Sequence, residues 1–232
     1  MSDEVIESGS NAWQRAEHRP PLDGASVHVW RLRIPAVTAT LDGLVPGEIE
    51  RASRLREPAR SRFVATRHAL RIRLGDYLGR AGDSLEFDYG ETGKPVLRAD
   101  PELHFSVAHS GDLALLAFAR SPVGIDLERI RRVPRQARIA PRVLAPDSVL
   151  ALAALPAQER DDAFIWTWTQ REAYVKAIGG GVLRSHDPLP FLWPPRLHEA
   201  AGWTVVPLAA DARHHACLVV EGTARPVLLE YD

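Results

Sequence analysis

Val123-Gly124-Ile125-Asp126-Leu127-Glu128 alternates in the manner of a β-strand, with Val123, Ile125 and Leu127 on one face and Gly124, Asp126 and Glu128 on the other. Its place in the chain decides the architecture. Upstream, residues 27–34 read as a strand, 46–56 as a short helix and 59–78 as a longer arginine-rich helix stopping at Gly79 and Gly82. Short strands follow over 85–89, 95–97, 104–107 and 113–119. From residue 123 onward the order recurs: a strand over 123–128, a helix near 141–152, a long helix near 161–178, and strands near Trp203, Ala216 and Val227. The expected class is α+β, built as two similar halves, 25–122 and 123–232, behind a flexible N-terminal tail, 1–24. The repeat lies in element order, with almost no residue identity between the halves. Two proline-rich stretches, 133–146 and 186–195, read as surface excursions of the second half.

The chain has 232 residues, 45% of them hydrophobic and 25% charged, the balance of a folded, soluble protein. A formal net charge of −1 gives no reason to expect nucleic acid. The charge is nevertheless uneven: residues 51–80 hold nine arginines against two acids, Glu57 and Asp76, which suits an anionic ligand. The single cysteine, Cys217, lies in an apolar run and reads as a small buried hydrophobe. No segment has the composition of a signal peptide or a membrane span, so a cytoplasmic protein without membrane contact is expected. A Walker-type loop, a Gly-x-Gly-x-x-Gly fingerprint and a zinc-spaced histidine pair are all missing from the sequence.

Four segments carry candidate chemistry. Asp126 and Glu128 share one strand face, where like charges repel; either the face is simply solvated, or a divalent cation between oxygen ligands compensates, which favours Mg²⁺. Gly124 on that face leaves room for something to approach. In the helix near 161–178, Phe164, Ile165, Trp168, Val175 and Ile178 follow helical spacing, and Glu172 falls within that apolar stripe. A buried carboxylate needs a cation or hydrogen bonds, so a functional Glu172 is preferred over an exposed i,i+4 pair with Lys176. Gly179-Gly180-Gly181 would end the helix near a ligand. The run 104–110 leads into a tight turn displaying His109 and Ser110 at a sheet edge, where turn chemistry and phosphate binding are both open. Gly93-Lys94-Pro95 holds an ammonium between a flexible and a rigid residue, within reach of a phosphate.

In this order and spacing, Gly93-Lys94-Pro95, Phe105 to Ser110, Val123 to Glu128 and Trp168-Thr-Gln-Arg-Glu172-Ala-Tyr-Val-Lys176-Ala resemble the surfactin-type 4'-phosphopantetheinyl transferases, over residues 93–177, with a weaker likeness back to Arg51. The resemblance implies a pseudo-dimer of two α+β halves with coenzyme A in the cleft between them. It implies Asp126, Glu128 and Glu172 as ligands of Mg²⁺, with Mn²⁺ as the alternative, Lys176 on the reacting phosphate, and Glu172 also helping to take the serine proton, directly or through a water. His109, Lys94 and Arg67 would bind the 3'-phosphate or pyrophosphate, with Ser110 beside them; Arg54 and Arg56 match the basic stretch only loosely. The implied partner is an acyl or peptidyl carrier protein, and one chain carrying both halves is expected to act as a monomer. Two positions depart from the family pattern: Ala108 where serine is frequent, and Arg171 where lysine is frequent. Two other functions use the same residues, a metal-dependent nucleotide phosphodiesterase and a non-catalytic module binding coenzyme A or a carrier.

Overall fold

The computed structural model describes residues 12–15, 20–34, 40–89, 93–180 and 189–231. Alternating apolar strands build two main sheets. The first takes β1 (Gln14–Arg15), β2 (Ser26–Arg33), β5 (His104–Ser110), β6 (Leu113–Ala119) and β11 (Arg225–Glu230), in the order β1-β11-β2-β6-β5. The second takes β7 (Val123–Arg129), β8 (His198–Ala200), β9 (Trp203–Leu208) and β10 (His214–Glu221), in the antiparallel order β7-β10-β9-β8. A small ribbon pairs β3 (Phe87–Tyr89) with β4 (Pro95–Leu97).

Strand periodicity sorts the core into layers. On β2 and β6, Val27, Val29, Leu113, Leu115 and Ala117 face the second sheet, meeting Val123, Ile125 and Leu127 of β7 and Leu218 and Val220 of β10. The alternate residues Trp30, Leu116 and Phe118 pack under helix α2 (Ala59–Leu78), against its Ala69, Leu70 and Leu74. Cys217 and Val219 of β10 pack under helix α5 (Arg160–Ala177), against Trp166, Ala173 and Ala177. The result is a helix, two sheets back to back, and a second helix. The fold is α+β, as expected.

Helix α1 (Pro46–Ser53) precedes α2. The single helix expected near 141–152 is two: α3 (Gln136–Val143) and α4 (Pro146–Ala154), because Pro146 has no N–H to continue α3 and instead begins a new helix. The last strand departs most from the sequence reading. β11, assigned to the second half, pairs in parallel with β2 of the first sheet, Arg225 beside Ser26 through Glu230 beside Arg31. Part of the expected tail is also tied down: Gln14 and Arg15 pair with β11, and Trp13 Nε1 donates to Ala209 O at 2.8 Å. Residues 1–11 and 16–19 of that tail, Gly181, and residues 186–188 of the second proline-rich stretch lie outside the described residues. No helix among the described residues is long and apolar enough to cross a membrane.

Candidate active site at the seam of the two sheets

β5 ends the first sheet and β7 ends the second, and the two strands lie in contact without forming a ladder. Serine hydroxyls take the ladder's place. Ser106 Oγ accepts the Ile125 N–H at 3.1 Å and Ser110 Oγ accepts the Arg129 N–H at 3.2 Å, a parallel register stepping four residues on each strand. The wider gap admits a side chain. Lys176 Nζ enters it and donates to Val107 O on β5 (3.3 Å), Ile125 O on β7 (3.1 Å) and Asp126 Oδ1 (2.7 Å).

Helix α5 reaches this seam through glycine. A Cβ on Gly124 would stand 1.9 Å from Ala173 O and 2.4 Å from Ala177 N, so the helix rests on the strand backbone itself. What approaches the open face of β7 is therefore α5. The contact also sets the register, aligning Asp126 with Lys176. α5 is buried on most sides, and the stripe Trp168, Glu172, Lys176, spaced by four, is its half-buried edge along the seam. Glu172 thus lies beside the apolar faces rather than within them. The i,i+4 pair with Lys176 gives way to the Lys176–Asp126 bond. Beyond Ala177, Gly179 turns left-handed (φ 65°) and Gly180 N–H bonds Val175 O, closing the helix at the cleft rim.

A cleft of about 410 Å³ opens on the first-half side of the seam, lined among others by Arg51, Arg67, Lys94, His109 and Lys176. The side chains come from separate elements: Arg67 from α2, Lys94 from the turn before β4, His109 from β5 and Lys176 from α5. The ring of Phe63 lies under the guanidinium groups of both Arg51 (5.0 Å) and Arg67 (5.9 Å). Burial holds Arg67 below the usual arginine range. Lys94 Nζ donates to Val123 O (3.3 Å) and Ala177 O (3.0 Å), joining the first half to β7 and α5, and burial pushes its pKa down to about 8. Enclosure by the cleft, then the charges of Lys176 and Arg62, hold the His109 imidazole below its ordinary range.

Asp126, Glu128 and Glu172 are not among the residues lining this cleft. Asp126 is buried, 7% exposed, and while Oδ1 takes the lysine, Oδ2 is buried without a hydrogen-bond partner among the described residues. Burial and then the Asp126 charge raise the carboxyl pKa of both Glu128 and Glu172. The Trp168 indole N–H donates to Glu128 and partly offsets the rise. As they stand, no three His, Cys, Asp or Glu side chains among the described residues are drawn closely enough together to hold a metal. The donor chemistry still fits a hard cation: Asp126, whose charge raises the carboxyl pKa of both Glu128 and Glu172, has an unused buried oxygen.

Several expected residues fall elsewhere. Arg54 is exposed and paired with Glu50, and Arg56 is exposed; neither lines the cleft. Ser110 serves the strand seam rather than lining the cleft, and with His109 it belongs to β5, whose turn begins only at Gly111. The sequence reading did not assign a role to Arg51, Thr66 or Ser106, which do line the cleft, or to Trp168, which bonds Glu128. The signal for Trp168 was its place four residues before Glu172.

A cationic cleft whose Lys176 is bonded to a buried acid has the chemistry suited to a phosphate-bearing ligand. Residues 122–225 match the 4'-phosphopantetheinyl transferase superfamily. The chain is 34% identical over 220 residues to the 4'-phosphopantetheinyl transferase HetI of Nostoc sp., covering 88% of this chain and 92% of that protein. It is 33% identical over 130 residues to the 4'-phosphopantetheinyl transferase Sfp of Bacillus subtilis, covering 52% and 57%. It is 29% identical over 167 residues to the 4'-phosphopantetheinyl transferase gsp of Aneurinibacillus migulanus, covering 64% and 68%. The chain belongs to the 4'-phosphopantetheinyl transferase superfamily.

Proposed function

We propose that this chain transfers 4'-phosphopantetheine from coenzyme A to a serine hydroxyl of an acyl or peptidyl carrier protein in the cytoplasm, with Mg²⁺, or alternatively Mn²⁺, held by Asp126, Glu128 and Glu172. The observation that carries this reading is Asp126, whose one oxygen is fixed by Lys176 beside the cationic cleft while the other is buried and unused next to two further acids. A bound divalent cation neutralises charge on the pyrophosphate and on the leaving group.

The protein's own groups do the rest. Arg51, Arg67 and Lys94 hold the phosphates of coenzyme A in the cleft, and His109 protonates against them. The serine oxygen forms a bond to the β-phosphorus. The bond from that phosphorus to the bridging oxygen breaks, and its electron pair leaves on 3',5'-adenosine bisphosphate. Glu172 takes the serine proton, a role suited to a carboxylate whose pKa is raised by burial and by Asp126. Lys176 exchanges its longest bond, 3.3 Å to Val107 O, for an oxygen of the reacting phosphate. No covalent enzyme intermediate is needed, because phosphoryl transfer depends mainly on position and charge. Both walls of the cleft come from one chain, so a monomer suffices.

Incubation with coenzyme A, Mg²⁺ and an apo carrier protein, followed by mass spectrometry of the carrier, tests this. Phosphopantetheine appears on one serine, and a chelator stops the reaction until Mg²⁺ is restored. Cleavage of coenzyme A with an unmodified carrier would instead establish the phosphodiesterase, and tight binding without any cleavage the non-catalytic module.

A further inference from the structure

Helix α1 contributes one buried acid to the first half, Glu48, 8% exposed. Three donors converge on its carboxylate. Oε2 accepts Arg71 Nε at 2.6 Å and the Val45 N–H at 3.2 Å, while Oε1 faces Arg67 Nε at 3.3 Å. Arg71 and Arg67 are successive turns of one face of α2, but their situations differ. The Arg71 side chain is only 3% exposed, and its Nη1 also donates to Gly82 O (2.6 Å) and Leu85 O (3.2 Å), so it is committed to the fold. Arg67 is 16% exposed and lines the cleft. One carboxylate between two guanidinium groups leaves a single net positive charge, and the geometry presents it at the cleft through Arg67.

We infer that Glu48 is a positioning residue for the phosphate-binding arginine: anchored by Arg71, it holds Arg67 aimed into the cleft. This rests on the reading of the cleft as the coenzyme A site. The side chain of Glu48 is not among the cleft's lining residues, so its effect on the substrate passes through Arg67. Arginine side chains carry large rotamer entropy, and an arginine already held by a carboxylate loses less of it on gripping a phosphate. The consequence is kinetic and specific: loss of Glu48 weakens ground-state binding of coenzyme A and spares the chemical step.

The test is a double-mutant cycle with steady-state kinetics of carrier loading. Glu48→Gln and Arg67→Ala each raise KM for coenzyme A about tenfold, with kcat within about twofold, and the double variant is no worse than Arg67→Ala alone. Glu48→Asp, which keeps the charge beside Arg71 but is one methylene shorter, provides the same readout if the Gln variant does not fold, with a smaller rise in KM. Additive effects of the two sites, or a fall in kcat at unchanged KM, would overturn the inference. Wild-type loading measured alongside separates the two failures. No turnover of coenzyme A by the wild type rejects the site reading and the inference with it, whereas normal wild-type turnover with independent variants rejects only the role of Glu48.

Discussion

Helices α2 and α5 each lie across one of the two sheets, but they are set at different heights above it. α2 stands off the first sheet on the side chains of Ala69, Leu70 and Leu74 against Trp30, Leu116 and Phe118, the ordinary spacing of packed apolar layers. α5 lies directly on the β7 backbone at Gly124. The difference follows what each helix supplies. α2 provides positive potential to a cleft, through Arg67 held by Glu48, and a field tolerates some displacement of its source. α5 provides Glu172 and Lys176, of which Lys176 must meet Asp126 across 2.7 Å, and only a backbone contact fixes that register against sliding.

Breaking the bond that α5 makes is expected to have the largest effect. Asp126→Asn removes the charge that orients Lys176 and acts on Glu128 and Glu172, and should lower kcat for carrier loading by about 10³-fold. A melting curve shows that the variant remains folded. Retention of more than a tenth of the activity would mean that the Asp126–Lys176 register is not what the close packing serves.

Displacing α5 without touching any charge comes next. Gly124→Ala places a methyl group inside Ala173 O, and should destabilise the chain by about 3 kcal/mol in urea unfolding while lowering activity. Gly24→Ala, where a Cβ meets nothing within 4 Å, is the reference and should stay within about 0.5 kcal/mol. Equal effects at the two glycines would remove the distinction between the helices.

A smaller effect concerns the cationic side that α2 helps to build. Lys94, with its pKa lowered to about 8 from 10.5, loses its charge in the folded protein while the unfolded chain still holds the proton. The unfolded state then binds more protons between those two values, so this residue makes folding stability rise with pH across that window. Coenzyme A binding moves the opposite way, because the neutral amine no longer attracts phosphate. KM should rise by up to about tenfold near pH 9, and Lys94→Arg, whose charge persists, should flatten the rise. A flat profile in the wild type would place the lysine in the seam only, as a bridge from the first half to Val123 and Ala177.

Local pattern carried much of this protein. The twenty residues of α2 were readable in full from spacing and the stop at Gly79, and β4 and β6 as short β-rich runs bounded by turn residues. The acids and Lys176 could be singled out because charge on an otherwise apolar strand or helix is expensive unless compensated. Elements whose partners are distant were read less well. Nothing in the run of β11 says that it leaves the second half for β2, since its alternation is satisfied by either sheet. Arg51 and Arg54 sit three residues apart in the same basic stretch, and only packing turns one over Phe63 toward the cleft and the other to Glu50 at the surface.

The sequence by itself determined the α+β class, the long helices, the family motifs and which side chains are chemically unusual, because these depend on periodicity over a few neighbouring residues. The tertiary structure alone decided that two serines replace a ladder between β5 and β7, that the space beside Gly124 belongs to a helix, and that Lys176 reaches Asp126, 50 residues away. Each of these is a contact between segments whose spacing along the chain carries no period, so its partner becomes definite only when the sheets have packed.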